Sequence, residues 1–286
     1  MHGSGNAGRE AALFVVGTPI GNLEDITLRA LRTLKEADLI ACEDTRQTQK
    51  LLTHYNIGTP TISYHEHNEL TRSAELVKKL EEGAQIALVS DAGMPGISDP
   101  GYRLITLAIR HNIAVVPVPG PAAFLAALVA SGLPTDSFRF SGFLPAKQGQ
   151  RREVLESMKD SPRTQVFYEA PHRVRETLED VVAVLGPDRP LAIAREVTKL
   201  HEEFLRGSAE AVLQAVRERD LKGEITLLIA KAEAGARPPA GAPAVRDRFQ
   251  QIVAQEKLDE KAALKKVAKE LGISRSQAYR ELQRGK

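Results

Sequence analysis

The sequence predicts an α/β protein, two α/β blocks in series followed by a small helical module. Three observations carry this. Short apolar runs rich in Val and Ile alternate with segments whose apolar residues recur every three and four positions. A turn-rich break and a Pro/Gly/Ala stretch divide the chain. The 286 residues are long for one hydrophobic core and comfortable for two. Hydrophobic residues at 42% and charged residues at 27% place the chain among globular proteins, away from disorder. The longest plain apolar run, Ala122–Ala130, is half of the roughly 18–20 residues that a membrane span needs, so no membrane association is expected.

Met1–Gly8 is polar and Gly-rich and reads as the body of a disordered leader, residues 1–10, without the apolar centre of a signal peptide; a cytoplasmic protein is expected. In residues 11–132 the strand-like runs are Ala12–Val16, Leu39–Cys42, Thr61–Tyr64, Ile86–Ser90 and Ile113–Val118. Helical spacings such as Leu28, Leu31, Leu34 and Leu76, Val77, Leu80 separate them. Strands joined by helical crossovers imply a largely parallel sheet, and burial on both faces explains why the runs do not alternate with polar residues. Ser131–Ser137 marks the boundary to a second block, residues 133–232. There Ser137–Leu144, Gln165–Tyr168, Leu191–Arg195, Glu203–Arg206 and Glu224–Ala230 read as strands, and Glu153–Lys159, Pro171–Leu185 and Ala209–Glu218 as helices. Residues 233–244 have nothing to bury and read as a linker, and residues 245–286 as a helical module.

The net charge of +2 hides an asymmetry: from Val245 to Lys286 there are 11 Lys and Arg against 6 Asp and Glu. A mildly acidic body with a basic tail suits an enzyme with an appended nucleic-acid contact. The single cysteine, Cys42, excludes an internal disulfide framework and a multi-thiolate zinc site.

Ligands of open α/β sheets sit beyond the carboxyl ends of the strands. Three loops at such ends are rich in Gly and Pro. Gly17–Asn22 lacks both the dinucleotide fingerprint and the P-loop spacing, so nicotinamide and nucleoside triphosphate sites are poorly supported. Val89–Gly101 (VSDAGMPGISDPG) would bring bare backbone to a ligand. Within it Asp99-Pro100 reads as a helix N-cap with Pro at the first helical position, whereas a simple turn gives Asp91 no role. Val118–Phe124 enters a helix of small residues that suit either close packing or a ligand.

These three loops, with Ala41–Leu52 (ACEDTRQTQKLL) and Ile62–Glu69 (ISYHEHNE), resemble the tetrapyrrole-methylase superfamily of S-adenosylmethionine enzymes. The VSDAGMPGISDPG segment is similar to the hallmark of the branch that methylates cytidine 2′-hydroxyls in 16S ribosomal RNA. The resemblance runs from about Leu13 to Lys231. It implies two α/β domains with the cofactor in the cleft between them, a homodimer, S-adenosyl-L-methionine as methyl donor and the small ribosomal subunit as partner. It further implies cofactor contacts at Pro19, Asp91, Gly93, Met94, Ile97, Ala122 and Ala123, and from the second domain at Phe167, Tyr168, Glu169, Thr198, Gly223, Glu224 and Ile225. No metal is expected, because a sulfonium activates its own methyl group.

Transfer to a ribose hydroxyl needs alignment of oxygen, carbon and sulfur, with an acceptor for the hydroxyl proton. Glu43, Asp44 and Arg195 follow strands and are expected to line the reaction centre, although Glu43-Asp44 would equally cap the following helix and Arg195 would equally pair with Glu196. Arg46, His65, Asn68, Lys147, Arg151, Arg152, Arg173 and Lys199 lie on loops or helix starts that suit RNA contacts. In the tail, Leu264, Val267, Ala268 and Leu271 form an apolar face, Gly272 ends a helix, and Ser274–Gln277 is a capping box opening a second. This resembles a helix-turn-helix, with Arg275 and Arg280 toward nucleic acid. Two other functions fit parts of the pattern: a small-molecule methylase acting on a tetrapyrrole precursor, and a DNA-binding regulator whose body senses a ligand.

Overall fold

A computed structural model describes residues 10–219, 221–232, 245–256, 259–270, 278 and 282. Contacts divide the chain into two units, Met1–Lys231 and Ala232–Lys286.

The first unit holds two five-stranded sheets. Strands β1 (Ala12–Val16), β2 (Leu39–Cys42), β3 (Thr61–Ser63), β4 (Gln85–Val89) and β5 (Ala114–Val118) form a wholly parallel sheet in the order β3-β2-β4-β1-β5. Crossover helices cover both faces, as the continuous apolar strands require. On one face Leu13, Ile86 and Leu88 pack with Leu76 and Leu80 of α3 (Glu69–Glu81) and Leu104 of α4 (Tyr102–Arg110). On the other, Val16, Ile40 and Val89 pack with Leu34 of α1 (Leu28–Glu36) and Leu52 of α2 (Thr45–His54). Thr27 caps α1 by accepting from the Ala30 amide, and Asp44 caps α2 by accepting from the Arg46 amide.

The second sheet, ordered β6-β7-β10-β8-β9, is mixed. It comprises β6 (Phe138–Phe143), β7 (Thr164–Glu169), β8 (Pro190–Arg195), β9 (Glu203–Ser208) and β10 (Ile225–Ile229). Only β6 and β7 run parallel among these pairs; β10 lies antiparallel between β7 and β8, buried along its whole length. The connection from β8 to β9 is a loop without a helix, so that pair must be antiparallel. Helices α6 (Gln148–Ser157), α7 (Val174–Leu185) and α8 (Ala209–Arg217) cover one face. The other face takes α5 (Ala123–Ala130), whose Ala127 and Leu128 pack on Val166, Ala192, Ala194 and Leu228. Thus the helix that leaves β5 of the first sheet seats its Ala127 and Leu128 in the core of the second, while Leu125 and Val129 stay exposed.

Two expectations change here. Asp99 does not cap α4: the helix begins at Tyr102 after Gly101 (φ +146°), with no side-chain cap. The Gly96 amide donates to the Pro100 carbonyl, so the loop closes on itself before the helix starts. Arg151, expected at an RNA surface, is 1% exposed: its Nε donates to Asp180 at 2.7 Å and a terminal nitrogen donates to the Ala146 carbonyl. Arg152 reaches the same carboxylate at 2.6 Å. Burial works to raise the Asp180 pKa, but the hydrogen bonds from Arg152 and Arg151 outweigh it and hold the carboxyl below its usual range. The cluster ties α6 to α7.

In the second unit, α9 (Val245–Glu256) and α10 (Glu260–Glu270) pack through Ile252, Ala263 and Val267. Arg248 bridges to Glu270 at 2.8 Å, and Leu264 and Ala268 meet Ala278 and Leu282. No helix among the described residues is long and apolar enough to cross a membrane.

Candidate functional site

The three Gly- and Pro-rich loops leave neighbouring strands β1, β4 and β5 and are bonded to one another at their bases. Thr18 and Gly93 exchange both backbone hydrogen bonds, at 2.9 and 3.1 Å, and the Thr18 hydroxyl donates to the Ser90 carbonyl. The Gly17 amide donates to the Val118 carbonyl. Gly17 and Gly120 lie backbone on backbone: a Cβ on either would sit 2.7 Å from the other's Cα. Gly93 adopts φ +82°, in the left-handed region that favours glycine.

Above these bases is a cavity of about 690 Å³, enclosed by the first sheet's loops and by the ends of β6, β7 and β8 and the start of β10. Of the residues expected to touch a cofactor, Gly93, Met94, Ile97, Ala122 and Ala123 line one wall, and Tyr168, Glu169, Gly223, Glu224 and Ile225 the other. Phe167 does not: strand alternation turns it into the core with Leu178 and Leu227. Pro19 yields its place to Ile20. Asp91 is not in the lining; it is exposed, its carboxylate accepting from the Asp44 amide at 3.0 Å. Thr198 lies beside the wall residue Val197 in a left-handed conformation (φ +67°), its hydroxyl oxygen buried without a partner.

Sequence reasoning missed Asp99, Phe124 and Phe143, all on the walls. Phe124 stacks on Phe140 at 4.4 Å between ring centroids, and Phe140 and Phe143 both meet Tyr168 edge-on or tilted. The aromatic run of Phe138, Phe140 and Phe143 was the available signal. The lining contains the carboxylates of Asp99, Glu169 and Glu224 and, among the described residues, no Lys or Arg. Glu169 is internally engaged, accepting from Thr177, Arg173 and the Ala170 amide. A largely apolar, partly aromatic hollow with a bare-backbone floor, Asp99 on its wall and no Lys or Arg in its described lining suits an organic cation and disfavours a polyphosphate.

Asp99 stands on the wall of this hollow, and Glu43, outside the lining, is close enough for their charges to interact. Burial pushes the Glu43 carboxyl up, reinforced by the charges of Asp91, Asp99 and Asp44. Burial also raises Asp99, a hydrogen bond with Ser90 opposes it, and Asp91 adds to it. Asp44 behaves oppositely: hydrogen bonds from the Arg46 side chain and backbone hold it at about 2. Asp44 is thus occupied as the cap of α2. Arg195, expected at the reaction centre, instead donates from Nε to Glu203 at 3.1 Å and from a terminal nitrogen to the Lys222 carbonyl, away from the lining.

The expected RNA contacts divide similarly. Arg46 is 88% exposed at its side chain while bonded to Asp44, and Lys147 is exposed. His65 and Asn68 shape a turn: Asn68 Oδ1 accepts from the His65 backbone amide, and Asn68 Nδ2 donates to the Ser63 carbonyl. Arg173 is turned inward to Glu169 and the Leu144 carbonyl, because it ties the ends of β6 and β7 together. Lys199 is drawn between Glu196 and Glu224. Arg152 shares Asp180. Arg275 and Arg280 lie outside the described residues. Among the described residues no group of three His, Cys, Asp or Glu is placed to hold a metal ion.

Residues 12–213 match the model of the family described as tetrapyrrole (corrin/porphyrin) methylases. A protein of Halalkalibacterium halodurans named ribosomal RNA small subunit methyltransferase I is 56% identical over 77% of this chain and 76% of its own length. A protein of the same name from Synechocystis is 48% identical over 93% of this chain and 95% of its own. Among solved structures, uroporphyrin-III-C-methyltransferase from Thermus thermophilus aligns with a TM-score of 0.54 at 22% identity, covering 78% of this chain and 95% of that one.

Proposed function

The chain belongs to the tetrapyrrole (corrin/porphyrin) methylase family, and from that premise we propose that it methylates a cytidine 2′-hydroxyl in small-subunit ribosomal RNA. It is a methyltransferase that uses S-adenosyl-L-methionine. The names of the two bacterial relatives support ribosomal RNA as the substrate. The hallmark loop, residues 89–101, supports the cytidine 2′-hydroxyl as the acceptor.

When bound, the donor supplies a methyl carbon made electrophilic by its sulfonium sulfur. Gly93, Met94, Ile97, Ala122 and Ala123 would hold it from the first sheet, and Tyr168, Glu224 and Ile225 from the second. The carboxylates of Asp99 and Glu224 offset a positive charge in the hollow, and the rings of Phe124 and Tyr168 add a cation–π face. A ribose hydroxyl is a weak acid, so its proton needs an acceptor as the new bond forms. Asp99 lies on the wall and takes that part, with Glu43 beside it keeping the pair's affinity for a proton high. Glu43, expected to line the reaction centre, stands outside the lining and acts on it through Asp99. The reading includes a homodimer acting on ribosomal subunits in the bacterial cytoplasm; a monomeric mass in sedimentation would remove that part.

The observation that carries the proposal is the largely apolar, glycine-floored hollow behind the hallmark loop, with Asp99 on its wall. Its test is methylation of small ribosomal subunits and of naked ribosomal RNA, with nucleosides identified by mass spectrometry. The expected product is 2′-O-methylcytidine. Methyl transfer to a base, or to a tetrapyrrole precursor in a parallel reaction, would overturn it.

A further inference from the structure

We infer that Leu200 is a wedge that enters the base stack of the substrate RNA and helps turn the target nucleotide out toward the hollow. This deepens the ribose-methylation reading and rests on it. The hollow is recessed between two sheets, and a ribose within a continuous stack cannot bring its hydroxyl into such a recess. Proteins with this problem often insert an apolar side chain between base steps. RNA recognition likewise favours bases splayed from their neighbours.

Leu200 is 93% exposed, more than any other large apolar side chain described. A single exposed leucine is ordinary on a protein surface. What distinguishes this one is the loop that presents it, 196–202 between β8 and β9. Glu196 (φ +52°) and Thr198 (φ +67°) both take left-handed conformations, which are unfavourable for a β-branched threonine. The loop is held in that shape from both sides. Glu196 accepts from the Glu224 amide at 2.9 Å and from Lys199 Nζ at 2.8 Å. Glu202 accepts from the Thr198 amide at 2.7 Å, while its own amide donates to the Lys199 carbonyl. Lys199 also packs so closely against Gly21, in the loop after β1, that no Cβ fits there unless it moves. Three residues before the leucine, Val197 lines the hollow, and Glu224, which binds Lys199, lines it too. A strained, clamped loop on the rim therefore keeps an apolar side chain in water where it cannot fold back.

The test uses the full-length protein and Leu200→Ala, with small ribosomal subunits, a short unstructured cytidine oligonucleotide and a target hairpin holding a fluorescent cytidine analogue. On subunits the variant should lose about tenfold or more in kcat/KM, equivalent to about 1.4 kcal/mol or more. On the oligonucleotide its rate should match wild type, donor affinity by calorimetry should be unchanged, and Leu200→Met should restore most of the activity. The hairpin should brighten with wild type and stay dim with Leu200→Ala. An undiminished rate on subunits, an equal loss on both substrates, or a change of oligomeric mass in the variant would overturn the wedge; the last would assign Leu200 to contact with a second copy. Absence of ribose methylation by wild type would fail the underlying reading instead, and is seen separately.

Discussion

Gly17→Ala probes the base of the hollow most directly. The new Cβ would lie 2.7 Å from the Gly120 Cα, 2.7 Å from Met94 Sδ and 2.9 Å from the Gly120 nitrogen. Ordinary carbon contacts are at about 3.5–4.0 Å, so the overlap approaches ~1 Å. The Met94 side chain can swing aside, but Gly120 offers only backbone. The two loops must part, and the Gly17 amide's hydrogen bond to Val118, 3.1 Å long, stretches as they do. Overpacking costs about 1–3 kcal/mol and a lost hydrogen bond about 1, giving roughly 2–4 kcal/mol in all. For a unit of this size each kcal/mol moves Tm by about 2–4 °C, so a fall of about 5–15 °C is expected. Thermal unfolding of the full-length protein measures this, with Gly58→Ala as control. Nothing lies within 4 Å of a Cβ at Gly58, and alanine there should be neutral or stabilising by up to about 1 kcal/mol. Donor affinity of Gly17→Ala should fall about tenfold, since Met94 and Gly120 both line the hollow and must move by an appreciable fraction of an ångström. A variant that melts with wild type and binds the donor equally well would refute this account of the loop bases.

Asp99→Asn should lower kcat by about 100-fold or more. In wild type, kcat/KM should rise with pH through the raised carboxylate range of the Asp99–Glu43 pair and level off above it, because the deprotonated form accepts the proton; an identical profile in the variant would exclude Asp99. Arg151→Ala removes the buried one of two arginines that hold the Asp180 carboxylate, leaving Arg152 on it, and should cost about 1.5–3 kcal/mol, read as a lower denaturant midpoint. Asp180 is held below its ordinary value in the folded protein, so its contribution is full above the unfolded carboxylate pKa and is lost as pH falls through the folded one; the gap between Arg151→Ala and wild type should narrow in acid. Removing residues 245–286 should leave donor affinity intact and weaken RNA binding, with a shallower salt dependence; unchanged RNA affinity would leave the basic tail without that role.

The first sheet was legible because its physics is local. Parallel strands buried on both faces are continuous apolar runs, and β1 and β2 begin and end where those runs do. The mixed order of the second sheet was not, since composition does not record which way β10 runs between its neighbours. Arg151 was misassigned because its partner lies 29 positions away, and a basic helix start looks the same whether or not a carboxylate waits beneath it. Phe167 and Tyr168 are adjacent in the chain, and only the register of β7 decides which meets the core and which the hollow. Asp99 was hidden by a sequence, Asp-Pro before a helix, that commonly serves as a cap and here does not.

One consequence follows from α5, the segment that departs from β5 yet buries Ala127 and Leu128 against Val166, Ala192 and Leu228. Melting the second sheet strips those side chains of their support and frees the segment that leaves β5, which couples the two halves. Calorimetry should record a single endotherm for residues 10–231, with equal van't Hoff and calorimetric enthalpies, and the methyl donor should displace that one peak upward without splitting it.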